Sequence, residues 1–440
     1  MEYVIDREKV RMVMETRDIK TQAELAERMG VTKNQVSVLL SSRSTPIKSC
    51  YQKLFDILDV DPSTVIKPRE EHRAERRAPR KRLINCTEDD LFADYVDTAK
   101  VTAKRSYKSI ELFAGAGGLA LGLEKAGFSA QGLVEFDKYA AATLRENRPD
   151  WNVIEEDVVK VAEAGIRSYL PADCGEIDFL SGGYPCQAFS YAGKKLGLED
   201  VRGTMFFYFA KIVNELRPKV FLAENVRGLL THDGGRTLKT MIDIYEGMGY
   251  RCETHLVHAV DYGVAQKRER LIIVGIRGDL DVKYRLPKVY DKKLVLRDVL
   301  QNVPPSPGEK YPAKKEKVLK LVPPGGYWRD LPDDIAREYM GKSYFSGGGR
   351  TGMARRISWD EPCLTLTCSP AQKQTERCHP EETRPFTVRE YARIQSFPDE
   401  WQFSGSTSQQ YKQIGNAVPV ELAKAIGLSI IDVLNQVENQ

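Results

Sequence analysis

At about 150 residues per domain, a chain of 440 residues has room for two to four domains. Its 42% hydrophobic content supports a sizeable core, and 29% charged residues exclude a fibrous or disordered polymer. No apolar run approaches the ~20 residues that cross a membrane, and the start, MEYVIDREKVRMVM, lacks the apolar core of a secretory signal. Eight cysteines without a CxxC pair argue against a disulfide frame and a structural zinc site, and they fit a reducing, cytoplasmic setting. The net charge of +4 is too small to announce a nucleic-acid partner, so the distribution of charge matters more.

Residues 1–66 read as a compact all-helical unit. Ala23, Leu25, Ala26, Met29, Val31, Val36, Leu39 and Leu40 recur at helical spacing. Gly30 separates two short amphipathic stretches, Gln22–Met29 and Thr32–Leu40, with Thr32 as N-cap of the second. That is the pattern of a helix-turn-helix. Its second helix would turn Thr32, Lys33, Asn34 and Ser37 outward, with Arg43 just beyond, toward base edges and phosphates of DNA. The bland alternative is an ordinary helical packing module. Residues 67–104 begin with KPREEHRAERRAPRKR, in which eight basic residues face three acidic ones, and read as a basic linker.

From 105 to 285 strands and helices alternate. SIELF (109–113), GLVEF (132–136), IDFLSG (177–182), VFLAEN (220–225) and RLIIVGI (270–276) are short and apolar, separated by helix-length segments. The expected fold is α/β, a doubly wound parallel sheet of Rossmann type. Residues 286–404 form a smaller, loop-rich domain rich in Pro, Gly, Lys and Tyr, and the helical tail PVELAKAIGLSIIDVLNQ lies in 405–440, which completes the main domain.

Strand SIELF runs into Ala114-Gly115-Ala116-Gly117-Gly118, a glycine turn that lets backbone approach a ligand closely. Twenty residues past Gly115 stands Glu135, placed to grip a ribose hydroxyl pair. These features fit a nicotinamide dinucleotide and S-adenosylmethionine equally. Asp157, suited to accept from an adenine amine, and the lack of a second glycine loop for a pyrophosphate favour the second. At the carboxyl ends of later strands stand Cys186 in GGYPCQ, Glu224 in AENV, and Arg268 and Arg270 in QKRER. A thiolate can add to C6 of a pyrimidine while a carboxyl group binds N3 and an arginine holds O2.

ELFAGAGG, GGYPCQAFS, ENV, QKRER and GNAVP, in this order, resemble the signature blocks of DNA (cytosine-5-)-methyltransferases, and VREYARIQSFPD, with Arg389, Glu390, Arg393, Gln395, Phe397 and Pro398, matches a further block. Where the family opens its first block with Asp, this chain has Glu111. The resemblance implies Cys186 as nucleophile, Glu224 as N3 partner, and Arg268 and Arg270 in target-base or phosphate contacts. It places Phe113, Gly115, Gly117, Gly118, Glu135, Phe136, Asp157, Val158, Pro185 and Asn416 around S-adenosylmethionine. The target base must be flipped out of the duplex. Gln187, Ser190, Lys194, Lys195 and Arg202 then face DNA, the stretch 190–202 being a closing loop. Residues 286–404 become a target-recognition domain, with readers near Arg350–Arg356 and in 363–383. Cys363, Cys368, Cys378 and His379 are badly spaced for zinc, so no metal is expected. The expected partner is duplex DNA, which puts the protein at a bacterial nucleoid. The enzyme is expected to act as a monomer. Its N-terminal unit resembles repressors of their own restriction–modification operon, which act as dimers on paired half-sites. Three rivals stand against this reading: a nicotinamide-dependent oxidoreductase, a methyltransferase of RNA, and a DNA-binding regulator with an inactive methyltransferase domain.

Overall fold

The computed structural model describes residues 3–19, 21–31, 36, 40, 48–68, 95–185, 201, 203–345 and 352–440. They divide into two compact units, 1–90 and 91–440.

The smaller unit opens with β1 (Tyr3–Ile5), followed by α1 (Arg7–Thr16), α2 (Gln22–Arg28) and α3 (Lys48–Leu58), and closes with β2 (Ile66–Pro68). Thr21 caps α2 by accepting from the Glu24 amide at 3.1 Å. Gly30 follows at a φ of +62°, a left-handed turn that suits glycine. Val10, Ile19, Leu25, Val36, Leu54 and Leu58 share its core. The unit is not all-helical: β1 pairs antiparallel with β2. Strands of three residues are too short to leave a periodic signal. The outward residues Thr32, Lys33, Asn34, Ser37 and Arg43, and the basic run from 69 onward, lie outside the described residues.

In the larger unit the packed chain resumes before 105. Val96 exchanges backbone hydrogen bonds with Leu286 and Lys288, and the Lys104 amide donates to Asn435, so residues 95–104 belong to this body and not to a linker. The elements then run β3 (Tyr107–Leu112), α4 (Gly118–Ala126), β4 (Phe128–Val134), α5 (Lys138–Asn147), β5 (Val153–Ile154), α6 (Val158–Ala164), β6 (Phe179–Gly182), α7 (Met205–Leu216), β7 (Val220–Val226), α8 (Arg236–Gly247), β8 (Tyr250–His258), β9 (Gln266–Lys267) and β10 (Glu269–Arg277). Next come α9 (Ala313–Leu319), α10 (Asp333–Met340), β11 (Cys363–Leu364), α11 (Val388–Ile394), α12 (Thr407–Asn416) and α13 (Val420–Val437).

The main sheet has the order β5-β4-β3-β6-β7-β10-β8. The first five are parallel, but β10 runs antiparallel to β7 and β8, so the expected parallel sheet is mixed at one side. Strand alternation sends Ile110, Leu112, Leu180 and Phe221 to one face, with Phe209 of α7 and Tyr245 of α8. Tyr107, Leu222 and Val274 go to the other, with Leu123 of α4 and Ile426 and Ile430 of α13. The tail helix α13 thus lies beside β3, where the Tyr107 hydroxyl donates to Asn435 at 2.8 Å.

Helices α4 and α13 meet through small residues. A methyl group on Gly122 would stand 2.4 Å from Ala423 Cβ and 2.6 Å from the Val420 carbonyl oxygen. Gly122→Ala is therefore expected to overpack this seam and remove about 1–3 kcal/mol of stability. Urea unfolding of the full chain checks this, and an unchanged midpoint would contradict the close approach.

The loop-rich region holds its own core of Tyr311, Leu319, Val322, Trp328 and Met340. Arg355 and Arg356, expected among the DNA readers, are internal. Arg356 donates to the carbonyls of Leu319, Val322 and His379 at 2.7–2.9 Å, and Arg355 pairs with Glu361 at 2.6 Å. The Arg356 guanidinium and the terminal nitrogens of Arg355 are engaged by backbone and carboxylate, which takes them out of base readout. Arg350 lies outside the described residues. The boundary at 404 also moves. Phe386, Val388, Tyr391 and Trp401 pack with Ala116, Leu121 and Leu133 of the main domain, and the Trp401 indole donates to the Ala116 carbonyl at 3.1 Å.

Candidate active site

The carboxyl ends of β3, β4, β5, β6 and β7 lie along one edge of the sheet, where open α/β folds bind ligands. Each end delivers an expected site residue. After β3, Phe113 adopts a φ of +59° and Gly115 a φ of +55°. A Cβ on Gly115 would meet nothing within 4 Å, so the turn borders open space. Gly118 starts α4 and could not carry a side chain, because its Cβ would stand 2.2 Å from the Val418 oxygen.

Glu135, after β4, accepts from the amides of Gly115 and Asp137, both at 2.7 Å. Burial raises its carboxyl above the usual range against the pull of these amides. Phe136 beside it is 74% exposed, an aromatic face presented to solvent at the head of α5. Asp137 caps α5 and pairs with Lys412 of α12 at 2.8 Å. Asp157, after β5, caps α6 through the Val159 amide at 2.9 Å, and Val158 is buried behind it. Glu111 points into the sheet's other face, where burial first and Glu135 second hold its carboxyl well above the usual range.

The loop after β6 reaches Pro185; Cys186, Gln187, Ser190, Lys194, Lys195 and Arg202 lie outside the described residues. Tyr184 is buried among Phe206, Phe209 and Tyr245, and its carbonyl accepts from Asn225 at 3.0 Å. A Cβ on Gly183 would stand 2.7 Å from Glu224 Oε2. The Glu224 carboxylate therefore rests on the backbone three residues before Cys186. Sequence reading passed over Gly183, although GGYPC displays it.

Glu224 pairs with Arg270 across β7 and β10, Oε1 to Nε at 2.5 Å, with both side chains about seven-eighths buried (14% and 13% exposed). The antiparallel register sets Ile272 opposite Glu224, so Arg270 is its diagonal neighbour on the same face. Arg227 and Glu269 extend the rim with a pair at 2.8 Å.

Arg268 departs from this group. Gln266 and Lys267 leave the main sheet to pair with Cys363 and Leu364, which breaks the period-two alternation between positions 268 and 270. Arg268 is 1% exposed, and its guanidinium donates to the carbonyls of Leu366, Gly415 and Asn416 at 3.1–3.4 Å. It is not available to a base or a phosphate. Asn416 itself ends α12, exposed, and accepts from the Cys368 thiol at 2.9 Å. His379 is buried, and its Nδ1 accepts from the amides of Glu381 and Glu382. Among the described residues no three His, Cys, Asp or Glu side chains are grouped to hold a metal, and no helix is long and apolar enough to cross a membrane.

The family model of C-5 cytosine-specific DNA methylases matches residues 107–432. The chain is 53% identical over 427 residues to the type II methyltransferase M.Sau96I of Staphylococcus aureus, covering 96% of this chain and 97% of that one. It is 57% identical over 358 residues to M.Eco47II of Escherichia coli, covering 79% and 84%. Among solved structures, a mutant of Spodoptera frugiperda DNMT2 shares the fold with a TM-score of 0.54 at 18% identity, over 76% of this chain and 100% of that one.

Proposed function

The chain belongs to the C-5 cytosine-specific DNA methylase family and is a DNA cytosine-5 methyltransferase that uses S-adenosylmethionine; from that premise we propose that it works through a covalent adduct between Cys186 and a flipped-out cytosine in a short duplex site. It acts as one half of a restriction–modification pair, a reading supported by its likeness to proteins named type II methyltransferases. The Cys186 thiolate adds to C6 of the target ring. Glu224 binds N3 and the exocyclic amine, so negative charge does not build up on the ring as the sulfur attacks. Arg270 orients Glu224 and holds the O2 oxygen. Addition at C6 makes C5 nucleophilic enough to take the methyl group. A base then removes the C5 proton, and the pair of electrons left behind expels the thiolate.

One observation supports this course above the others. The Glu224–Arg270 pair is buried at the sheet edge with its carboxylate against Gly183, three residues before Cys186. On the cofactor side, the open space over Gly115, the exposed Phe136 ring and the carboxylates of Glu135 and Asp157 suit a ligand with an adenosyl group. S-adenosylmethionine, held there with Phe113, Gly117, Gly118, Val158, Pro185 and Asn416, supplies an electrophilic methyl group. Residues 286–385 read the target sequence. Duplexes carrying 5-fluorocytosine in place of the methylated base test the adduct, since fluorine at C5 blocks the final elimination. A cofactor-dependent protein–DNA species stable in denaturant is expected; its absence with methylatable DNA overturns the covalent route.

The N-terminal unit has a separate role as a repressor of its own operon, binding as a dimer. The capped α2, the turn at Gly30 and the core positions of Val36 and Leu40 support a helix-turn-helix, with Thr32, Lys33, Asn34, Ser37 and Arg43 on the DNA side. The full chain is expected to shift its upstream promoter in preference to random duplex, and a chain lacking residues 1–90 is not. Equal shifts by both chains would overturn this role.

A further inference from the structure

The carboxyl end of α12 carries Asn416 and poses a physical problem. The last four carbonyls of an α-helix have no partner within the helix, and they form the negative end of its dipole. Here those groups are Gln413, Ile414, Gly415 and Asn416; the Ala417 amide just beyond reaches Gln413 and Ile414 at 3.2 Å, which leaves Gly415, Asn416 and the Ala417 carbonyl without a backbone donor from the helix. Two buried side chains from elsewhere in the chain take the carbonyls of Ile414, Gly415, Asn416 and Ala417. The Gln395 amide donates to the Ile414 carbonyl at 2.7 Å and to the Ala417 carbonyl at 3.1 Å. The Arg268 guanidinium donates to Gly415 at 3.1 Å and Asn416 at 3.4 Å.

The two caps are joined. Gln266 donates to Gln395 Oε1 at 2.8 Å and accepts from the Leu366 amide at 3.0 Å, while Arg268 takes the Leu366 carbonyl at 3.3 Å. Gln266 and Gln395 are fully buried, and Arg268 is 1% exposed. Gly415 itself lies against the backbone of Thr367, with no room for a side chain. A cation at this helix end is favourable in charge, and burial of Arg268 is otherwise adverse, since desolvation weakens its hold on the proton.

We propose that Arg268 and Gln395 are positioning residues that cap the carboxyl end of α12 and thereby hold Asn416 in place for S-adenosylmethionine, so that Arg268 acts on the cofactor side of the reaction and not on the cytosine. This rests on the reading of Asn416 as a cofactor contact. An arginine six residues after Tyr262 on the way into β10 thus differs in role from Arg270, two residues on, which meets Glu224.

Calorimetry of S-adenosylmethionine binding to the full-length, DNA-free protein is the test, combined with turnover at saturating cofactor. Arg268→Lys keeps the charge but loses the fork that spans two carbonyls. It is expected to weaken cofactor binding about tenfold while kcat stays within about threefold. Gln395→Ala, which uncovers the Ile414 and Ala417 carbonyls and leaves the Gln266 amide without its acceptor, is expected to give the same split. Collapse of kcat with cofactor affinity intact would overturn the proposal, because it would return Arg268 to the target base. Equal loss of cofactor binding, DNA binding and thermal stability in both variants, or failure of both to fold, would overturn it in favour of a general structural role. The readout needs no adduct, so failure of the 5-fluorocytosine trap leaves it standing.

Discussion

Cys186→Ala is expected to lower methyl transfer to DNA by at least about four orders of magnitude, the scale seen when covalent enzymes lose their nucleophile, and to leave S-adenosylmethionine affinity within about threefold. Without the sulfur, C6 gains no substituent and C5 keeps the weak nucleophilicity of an aromatic pyrimidine. The cofactor groups stand at the ends of other strands: Gly115 after β3, Glu135 after β4 and Asp157 after β5. Tritium transfer from labelled cofactor and calorimetry check the two halves of this result. A parallel fall in cofactor affinity would place the thiol in the cofactor pocket instead. Burial raises the thiols of Cys174 and Cys368 above the ordinary range. Burial pushes the thiols of Cys252 and Cys363 up to about 12 and that of Cys378 up to about 11, so thiolate is scarce in them at neutral pH. Cys186 needs the opposite treatment, because an ordinary thiol near 8.5 is mostly protonated at pH 7.

Glu224→Gln is expected to slow turnover by about two to three orders of magnitude, the range of a lost acid–base group, without unfolding the chain. The amide oxygen still accepts from Arg270, so the buried guanidinium keeps a neighbour and the β7–β10 face keeps its packing. What is lost is the carboxyl group's ability to hand a proton to N3, since an amide can hydrogen-bond to N3 but not protonate it. Addition of the thiolate then has to proceed with charge building on the ring. Rapid-quench trapping on 5-fluorocytosine duplex is expected to show slower adduct formation with unchanged cofactor binding. Normal adduct formation with slow product release would assign Glu224 to another step.

The two expectations share one local structure. Gly183 must lack a side chain because the Glu224 carboxylate occupies that space, and Asn225 ties the same loop through the Tyr184 carbonyl. The strand carrying the carboxyl group therefore also fixes the root of the loop that leads to the thiol.

The interior strands were readable because a strand buried on both faces is a short apolar run, as in IELF and VFLA. β8 escaped notice: at the sheet edge its residues YRCETHLVH are half-exposed and mixed in character. Glu135 was expected at a ribose, and its position beside Gly115 was legible from spacing; that its two oxygens already accept amides of the turn was not. The expected division at 404 failed because Tyr391 and Trp401 bear the same apolar signature whichever domain's core they enter.

Residue types and their order along the chain were enough to name a chemistry, since a thiol, a carboxyl group and a guanidinium have few joint uses beside a glycine turn. They were not enough to distinguish Arg268 from Arg270. That difference arises where Gln266 and Lys267 abandon the main sheet for Cys363 and Leu364, nearly a hundred residues away. A one-dimensional pattern holds no record of such a distant pairing, and the pairing turns one arginine toward helix carbonyls while leaving the other against Glu224.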